Sequence, residues 1–238
     1  MITIGHLFPD LLNLYGDRGN IQVLVKRLLW RGIEARSVAF ESNDEIDFTK
    51  LDVILLGGGS DREQRLVCDK LLALREELSS YVEDGGVLLA VCGGYQLLGH
   101  YYRTDQGEIR GLSLVDLYTE QEKGRLIGNV VLGSDLIPMP IVGFENHGGR
   151  TRLGDATPLG RVLYGKGNDG RSGYEGAVYK NVIGTYLHGP LLPKNPLLAD
   201  ELLSRALFHR GMGPLLPLPD EEEKRANSYI CQRFLRGK

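Results

Sequence analysis

The sequence predicts an α/β protein: a doubly wound, mainly parallel sheet with helices on both faces and added β hairpins. Three observations carry this expectation. The first hundred residues alternate short apolar runs with longer segments whose apolar residues recur at helical spacing. The runs "DVILL" and "GGVLLAV" are apolar throughout, as strands buried on both faces must be. The first stops at the glycine-rich "GGGSDREQ" and the second at "CGGYQ", turns of the kind that end parallel strands above a ligand crevice.

Taken in order, "MITIGHLF" reads as the first strand. The polar "PDLLNLYGDRGN" leads into a helix with Ile21, Leu24, Val25, Leu28 and Leu29 on one face, capped by Asn20 and closed by Gly32. "ARSVAF" and "DVILL" are the next strands. Ser60 and Glu63 have the spacing of a capping box, and Leu66, Val67, Leu71, Leu74, Leu78, Tyr81 and Val82 continue a helical period, so one long helix is expected to reach Asp84. "GGVLLAV" follows as a buried strand. Residues 107–190 are richer in glycine and in short β-type runs, "LSLVDLYT", "LIGNVVLG", "IVGFEN", "RVLYG" and "GAVYKNVIGTYL", which read as strands and hairpins. "PLLADELLSRALFHRG" is a helix. No repeat or linker divides the chain, so residues 1–238 read as one domain, with 220–238 a terminal helix or a tail that docks on a partner.

Composition excludes several roles. The net charge is −3, from 28 basic and 31 acidic residues interspersed along the chain, which builds no field for nucleic acid or anionic lipid. Cys68, Cys92 and Cys231 lie far apart without metal-ligand spacing, so neither a metal site nor a disulfide framework is expected. No apolar run approaches the ~18 residues of a spanning helix, and the N-terminus lacks signal-peptide character. The expected location is cytoplasmic.

The stretch "LLAVCGGYQLLG" holds the strongest chemical signal. It places Cys92 between a buried strand and a glycine pair that opens a helix. A small buried cysteine would fit there. So would a nucleophile on a sharp strand-to-helix turn, with its sulfur exposed and its thiolate favoured by the helix N-terminus. On that second reading the Gly93 amide faces the cleft as an oxyanion donor, and Gly58 or Gly59 gives the other. "GGGSDREQ" is no phosphate loop, because it lacks the closing Gly-Lys-Ser/Thr. A nucleophilic thiol needs a base, and His188, between "VIGTYL" and a Gly-Pro turn, is the best placed of five histidines. His147 in "GFENHGGRT" is the rival; beside Glu145 and Asn146 it suits the binding of a zwitterion. His6, His100 and His209 read as core or solvent-facing.

"VCGGYQLLG" followed by "TYLHGPLL" resembles class I glutamine amidotransferases of the cobyric acid synthase-like branch, a flavodoxin-like fold. "YGDRGN", "GGGSDREQ", "RLIGN" and "FENHGGRT" narrow the resemblance to the glutaminase subunits of lipid II isoglutaminyl synthases, over nearly the whole chain. The resemblance implies hydrolysis of L-glutamine to glutamate and ammonia, with Cys92 as nucleophile and His188 as acid/base. It places Arg125 at the substrate, where Gly58, Gly93, Gln96, Asn146 and His147 are expected to join it, with no metal. It implies no cofactor in this chain. ATP and Mg would bind a Mur ligase-like synthetase subunit, in a heterodimer or higher assembly that meets lipid II at the inner face of the membrane.

Two positions depart from the wider class. Ala90 stands where glycine precedes the nucleophile by two, and Pro190 where glutamate follows the histidine by two. The active site is then a dyad, or its third carboxylate comes from elsewhere, such as the partner. Two other readings stay open: an amidotransferase acting on a corrinoid, and a non-catalytic binding module with a redox cysteine.

Overall fold

The computed structural model describes residues 1–14 and 17–235. Tyr15 and Gly16 of "YGDRGN" and the last three residues of the expected tail lie outside the described residues.

The first layer is a six-stranded sheet. It contains β1 (Ile2–Leu7), β2 (Ala35–Phe40), β3 (Val53–Leu56), β4 (Val87–Val91), β11 (Ala177–Tyr179) and β12 (Val182–Thr185), in the order β11-β12-β4-β3-β1-β2. All neighbours run parallel except the β11–β12 hairpin at one edge. β3 and β4 are buried at every position, as their unbroken apolar runs require. The edge strand β2 exposes Arg36, Ser37 and Ala39.

Helices flank this sheet: α1 (Arg18–Leu29), α2 (Asp61–Ala73), α3 (Arg75–Glu83), the short α4 (Gly93–Leu98) and α5 (Pro196–His209). The capping box at Ser60 and Glu63 is formed. Two expectations fail here. The long helix to Asp84 is two helices, broken at Leu74. Glu76 and Glu77 fall in the first turn of α3, where the helix dipole favours acidic residues, so this sequence supports a second helix start. The cap of α1 is Asp17 and not Asn20; Asn20 is buried inside the first turn, and its Oδ1 accepts the Leu192 N–H at 2.8 Å.

The second layer is an antiparallel-rich sheet, β10 (Tyr174–Glu175), β9 (Gly160–Tyr164), β7 (Leu117–Gly133), β5 (Tyr101–Thr104) and β6 (Gly107–Arg110) in that order, with β8 (Ile141–Leu153) paired to β7. Of the run "LSLVDLYT" only residues 117–119 form a strand, and they continue unbroken through "LIGNVVLG" in the 17-residue β7, while residues 112–116 are an irregular connection. Its register with β8 shifts between Gln121 and Leu126. The last helix, α6 (Glu221–Leu235), seats Cys231 against Val131 and Val142, with Phe234 4.9 Å from the Tyr164 ring.

One apolar cluster runs through both layers, from Ile2 and Leu56 to Leu117, Val130 and Ile141. Arg27 of α1, 2% exposed, is held by Asp200 of α5 at 2.7 Å and Asp220 at 2.6 Å. These pairs tie the first helix to the C-terminal third. Among the described residues no helix is long and apolar enough to cross a membrane.

Candidate active site

Cys92 ends β4 at φ 49° and ψ −105°, a backbone conformation that strains any residue with a side chain and turns the chain sharply into α4. The turn fits because its neighbours are glycines. A Cβ on Gly94 would lie 2.6 Å from the Leu56 carbonyl oxygen, and one on Gly93 2.9 Å from both the nitrogen and oxygen of Gly59. Ala90, where the wider class has glycine, pairs across the sheet with Gly184, and Gly184 leaves the room that the Tyr95 ring of α4 fills.

His188 follows β12, the strand beside β4, so cysteine and histidine stand at the carboxyl ends of neighbouring parallel strands. The Cys92 N–H donates to the Thr185 carbonyl at 2.8 Å, and the His188 N–H to the Phe144 carbonyl of β8, also at 2.8 Å. Glu175 fixes the strand exit between these bonds, accepting from the Tyr186 N–H at 2.6 Å and the Thr185 hydroxyl at 3.0 Å. Both side chains border Gly58, where a Cβ would lie 3.3 Å from Cβ of Cys92 and 3.7 Å from Cε1 of His188. Pro190 packs against Gly19 of α1; a Cβ there would be 2.5 Å from its ring.

The electrostatics are those of a resting site. Burial lowers His188 to about 4, assisted by the positive surroundings of His147, Arg125 and Lys194, so the imidazole is neutral and able to take a proton. Burial raises Cys92 to about 12, and the Asp17 carboxylate adds to the rise; the Gly93 N–H and Arg125 oppose it. The expected thiolate is therefore a thiol, because removal from water and a neighbouring anion outweigh one turn of helix.

Arg125 lies in the bulged part of β7 and reaches across to β8. Its Nε donates to Asn146 Oδ1 at 2.8 Å and its Nη2 to the Asn146 carbonyl at 2.7 Å. His147 stacks flat on Tyr186, ring centroids 3.5 Å apart, and its Nδ1–H donates to the Gly149 carbonyl at 2.7 Å. Its Nε2 stands 3.7 Å from Glu145, whose carboxylate accepts the Lys166 and Gly167 amides. Arg125 and His147 thus lie near enough to bear electrostatically on His188, and Arg125 on Cys92, while Asn146 holds Arg125.

Gln96 differs from this group. Its Oε1 accepts from Gln64 at 2.9 Å and its Nε2 donates to Tyr186 Oη at 3.1 Å, so its amide braces the floor behind the elbow. Gly58 is in place, yet its N–H is donated to Asp17 Oδ2 at 2.7 Å. Of the other histidines, His100 pairs with Asp116 and His209 with Asp84, while His6 is buried. Among the described residues no group of three His, Cys, Asp or Glu could hold a metal ion.

Sequence reasoning missed Asp17, Gln64, Tyr186 and Lys194. Asp17 was visible only as part of "YGDRGN", with nothing local to tie it to a turn 41 residues away.

A parallel α/β sheet with a cysteine on a strained strand-to-helix turn and a histidine at the end of the next strand defines the class: the fold is that of glutamine amidotransferases. It is similar to PurLQS from Thermotoga maritima, with a TM-score of 0.55 at 16% identity over 87% of this chain and 96% of that one. It also resembles the glutaminase domain of Trypanosoma brucei CTPS with bound acivicin, with a TM-score of 0.52 at 13% identity over 91% and 97% of the two chains. The chain belongs to the CobB/CobQ-like glutamine amidotransferase domain family, whose model matches residues 3–196.

Within that family it is 44% identical over 240 residues to the lipid II isoglutaminyl synthase (glutamine-hydrolyzing) subunit GatD of Staphylococcus aureus, covering 100% of this chain and 98% of that protein. The subunit of the same name from Streptococcus pneumoniae is 40% identical over 225 residues, 93% of this chain and 86% of that protein. A probable cobyric acid synthase of Methanothermobacter thermautotrophicus is 34% identical over 201 residues, 74% of this chain and 39% of that protein.

Proposed function

We propose that this chain is the glutamine-hydrolysing subunit of a lipid II isoglutaminyl synthase. The placing of Cys92 and His188 on either side of Gly58, in a chain 44% identical to such a subunit along its whole length, carries the reading.

Neutral His188 takes the Cys92 proton as the sulfur attacks the carboxamide carbon of L-glutamine. The oxygen of the tetrahedral intermediate accepts the Gly93 N–H and a second amide from the glycine loop after β3. His188 returns its proton to the leaving nitrogen and ammonia departs, leaving a glutamyl thioester on Cys92. Water, deprotonated by His188, then cleaves the thioester to glutamate and restores the thiol. Arg125, held by Asn146, offers its free guanidinium edge to the α-carboxylate of glutamine.

The ammonia passes to a Mur ligase-like synthetase subunit, which binds ATP and Mg and activates the α-carboxylate of D-glutamate in the lipid II stem peptide. Amidation there gives D-isoglutamine. The experiment is glutamate release from L-glutamine by the purified chain, alone and with its synthetase subunit, with Cys92→Ala and His188→Ala as controls. Release that needs Cys92 supports the reading. A folded chain with no release in either setting, beside an active synthetase, overturns it in favour of a non-catalytic binding module.

A further inference from the structure

We infer that Asp17 is a built-in restraint on the nucleophile: its carboxylate occupies the Gly58 N–H that a tetrahedral intermediate would use, and it must withdraw from that amide before Cys92 turns over efficiently. The inference rests on the glutaminase reading and adds regulation of the same site.

Asp17 is the N-cap residue of α1, the role for which aspartate is among the best residues, yet its side chain makes no cap bond to its own helix. It reaches instead to the loop after β3, where Oδ2 accepts the Gly58 N–H at 2.7 Å. The Gly58 carbonyl accepts the Leu14 N–H at 2.9 Å, so the segment before α1 holds both backbone groups of this glycine. A Cβ on Gly58 would lie 3.4 Å from Asp17 Oδ2 and 3.3 Å from the Cys92 Cβ, which puts the carboxylate and the nucleophile on the same residue.

Asp17 is fully buried, and among the described residues its Oδ1 has no hydrogen-bond partner. A buried carboxylate with one orphan oxygen costs stability, and nothing in its own helix compensates for it. Burial raises it to about 7, so it carries charge in part of the population near neutral pH. Withdrawn from Gly58, the same carboxylate would still lie at the N-terminus of α1, whose dipole favours an anion.

The restraint acts in two ways. It removes one oxyanion donor, and it sets a negative charge against formation of a second on the Cys92 sulfur. Asp17 and Asp61 of α2 oppose the thiolate, while the Gly93 amide and Arg125 of β7 favour it. Tyr102 of β5 and Tyr186 also lie within electrostatic range of the sulfur.

The test uses the full chain with Asp17→Asn, which removes the charge and keeps an acceptor for Gly58, and Asp17→Ala, which removes both. Alkylation of Cys92 by iodoacetamide is followed across pH by mass spectrometry of its peptide, beside glutamate release with and without the synthetase subunit. Both variants should alkylate at Cys92 about tenfold faster at pH 8, as a downward shift of about one pH unit requires. Partner-free glutamate release should rise, more for Ala than for Asn. An unchanged alkylation profile, or glutamate release that falls in Asp17→Asn, would overturn the restraint and make Asp17 a prop for the loop. Should wild type release no glutamate even with the synthetase, the glutaminase reading fails, and the alkylation profiles still decide the role of Asp17. If Ala does not fold, Asn carries the decision.

Discussion

The two sheets contribute to the site by different physics. The parallel sheet presents Cys92 and His188 on strands buried from end to end, where backbone strain and close glycine packing fix the reacting atoms. The β7–β8 ribbon alternates buried and exposed residues and presents Arg125, Asn146 and His147 through hydrogen bonds at a register shift. On the proposed reading, chemistry sits where the chain cannot move, and recognition on a ribbon whose Arg125 is exposed while His147 is buried.

The sharpest test of this division is Cys92→Ala, which should lower glutamate release by on the order of 10⁴-fold or more with the fold intact, as loss of a nucleophile does. A residual rate near wild type would mean that the elbow is not where the reaction occurs.

Arg125→Lys comes next. The fork that grips Asn146 at two points would become a single ammonium, and KM for glutamine should rise roughly 10- to 100-fold with kcat less affected. A drop confined to kcat would move Arg125 from recognition to chemistry and erase the contrast between the sheets.

Gly94→Ala probes the rigid side through stability. Its Cβ would sit 2.6 Å from the Leu56 carbonyl and 2.8 Å from that of Gly57, contacts made by backbone that cannot swing away. A loss of about 1–3 kcal/mol in chemical denaturation is expected. Gly148→Ala on the ribbon, whose nearest neighbour would be the Arg125 side chain at 3.8 Å, should change stability far less.

A further test of the rigid side is the pH dependence of Asp17→Asn. Asp17 is raised by burial from 3.8 to about 7, so the folded protein binds the extra proton, and wild type loses stability relative to the variant as pH rises through that window. The advantage of Asn should grow by up to about 1.4 kcal/mol per pH unit between those values and level off above them. Thermal melts at pH 5 and pH 8 measure it; an equal difference at both would mean that Asp17 is not buried as a titrating acid.

Much of this architecture was legible because it depends on near neighbours. The runs of β3 and β4, the capping box at Ser60, and a cysteine between an apolar run and two glycines all declare themselves within a dozen residues. The division at Leu74 did not, since the apolar period runs through it unbroken. Asn20 looked like a cap because capping residues and buried bridging residues share the same chemistry, and only the partner, Leu192, separates them.

The sequence by itself determined the fold class and set Cys92 between a buried strand and two glycines that open a helix, which is where the proposed reaction begins. Tertiary structure alone decided that Arg125 is steered by Asn146, that Gln96 braces rather than faces the cleft, and that Asp17 holds the Gly58 amide. The physical reason is range. Strand and helix patterns are set by spacing along the chain, whereas desolvation and the field at a sulfur are summed over every group that folding brings near it, whatever its distance in sequence.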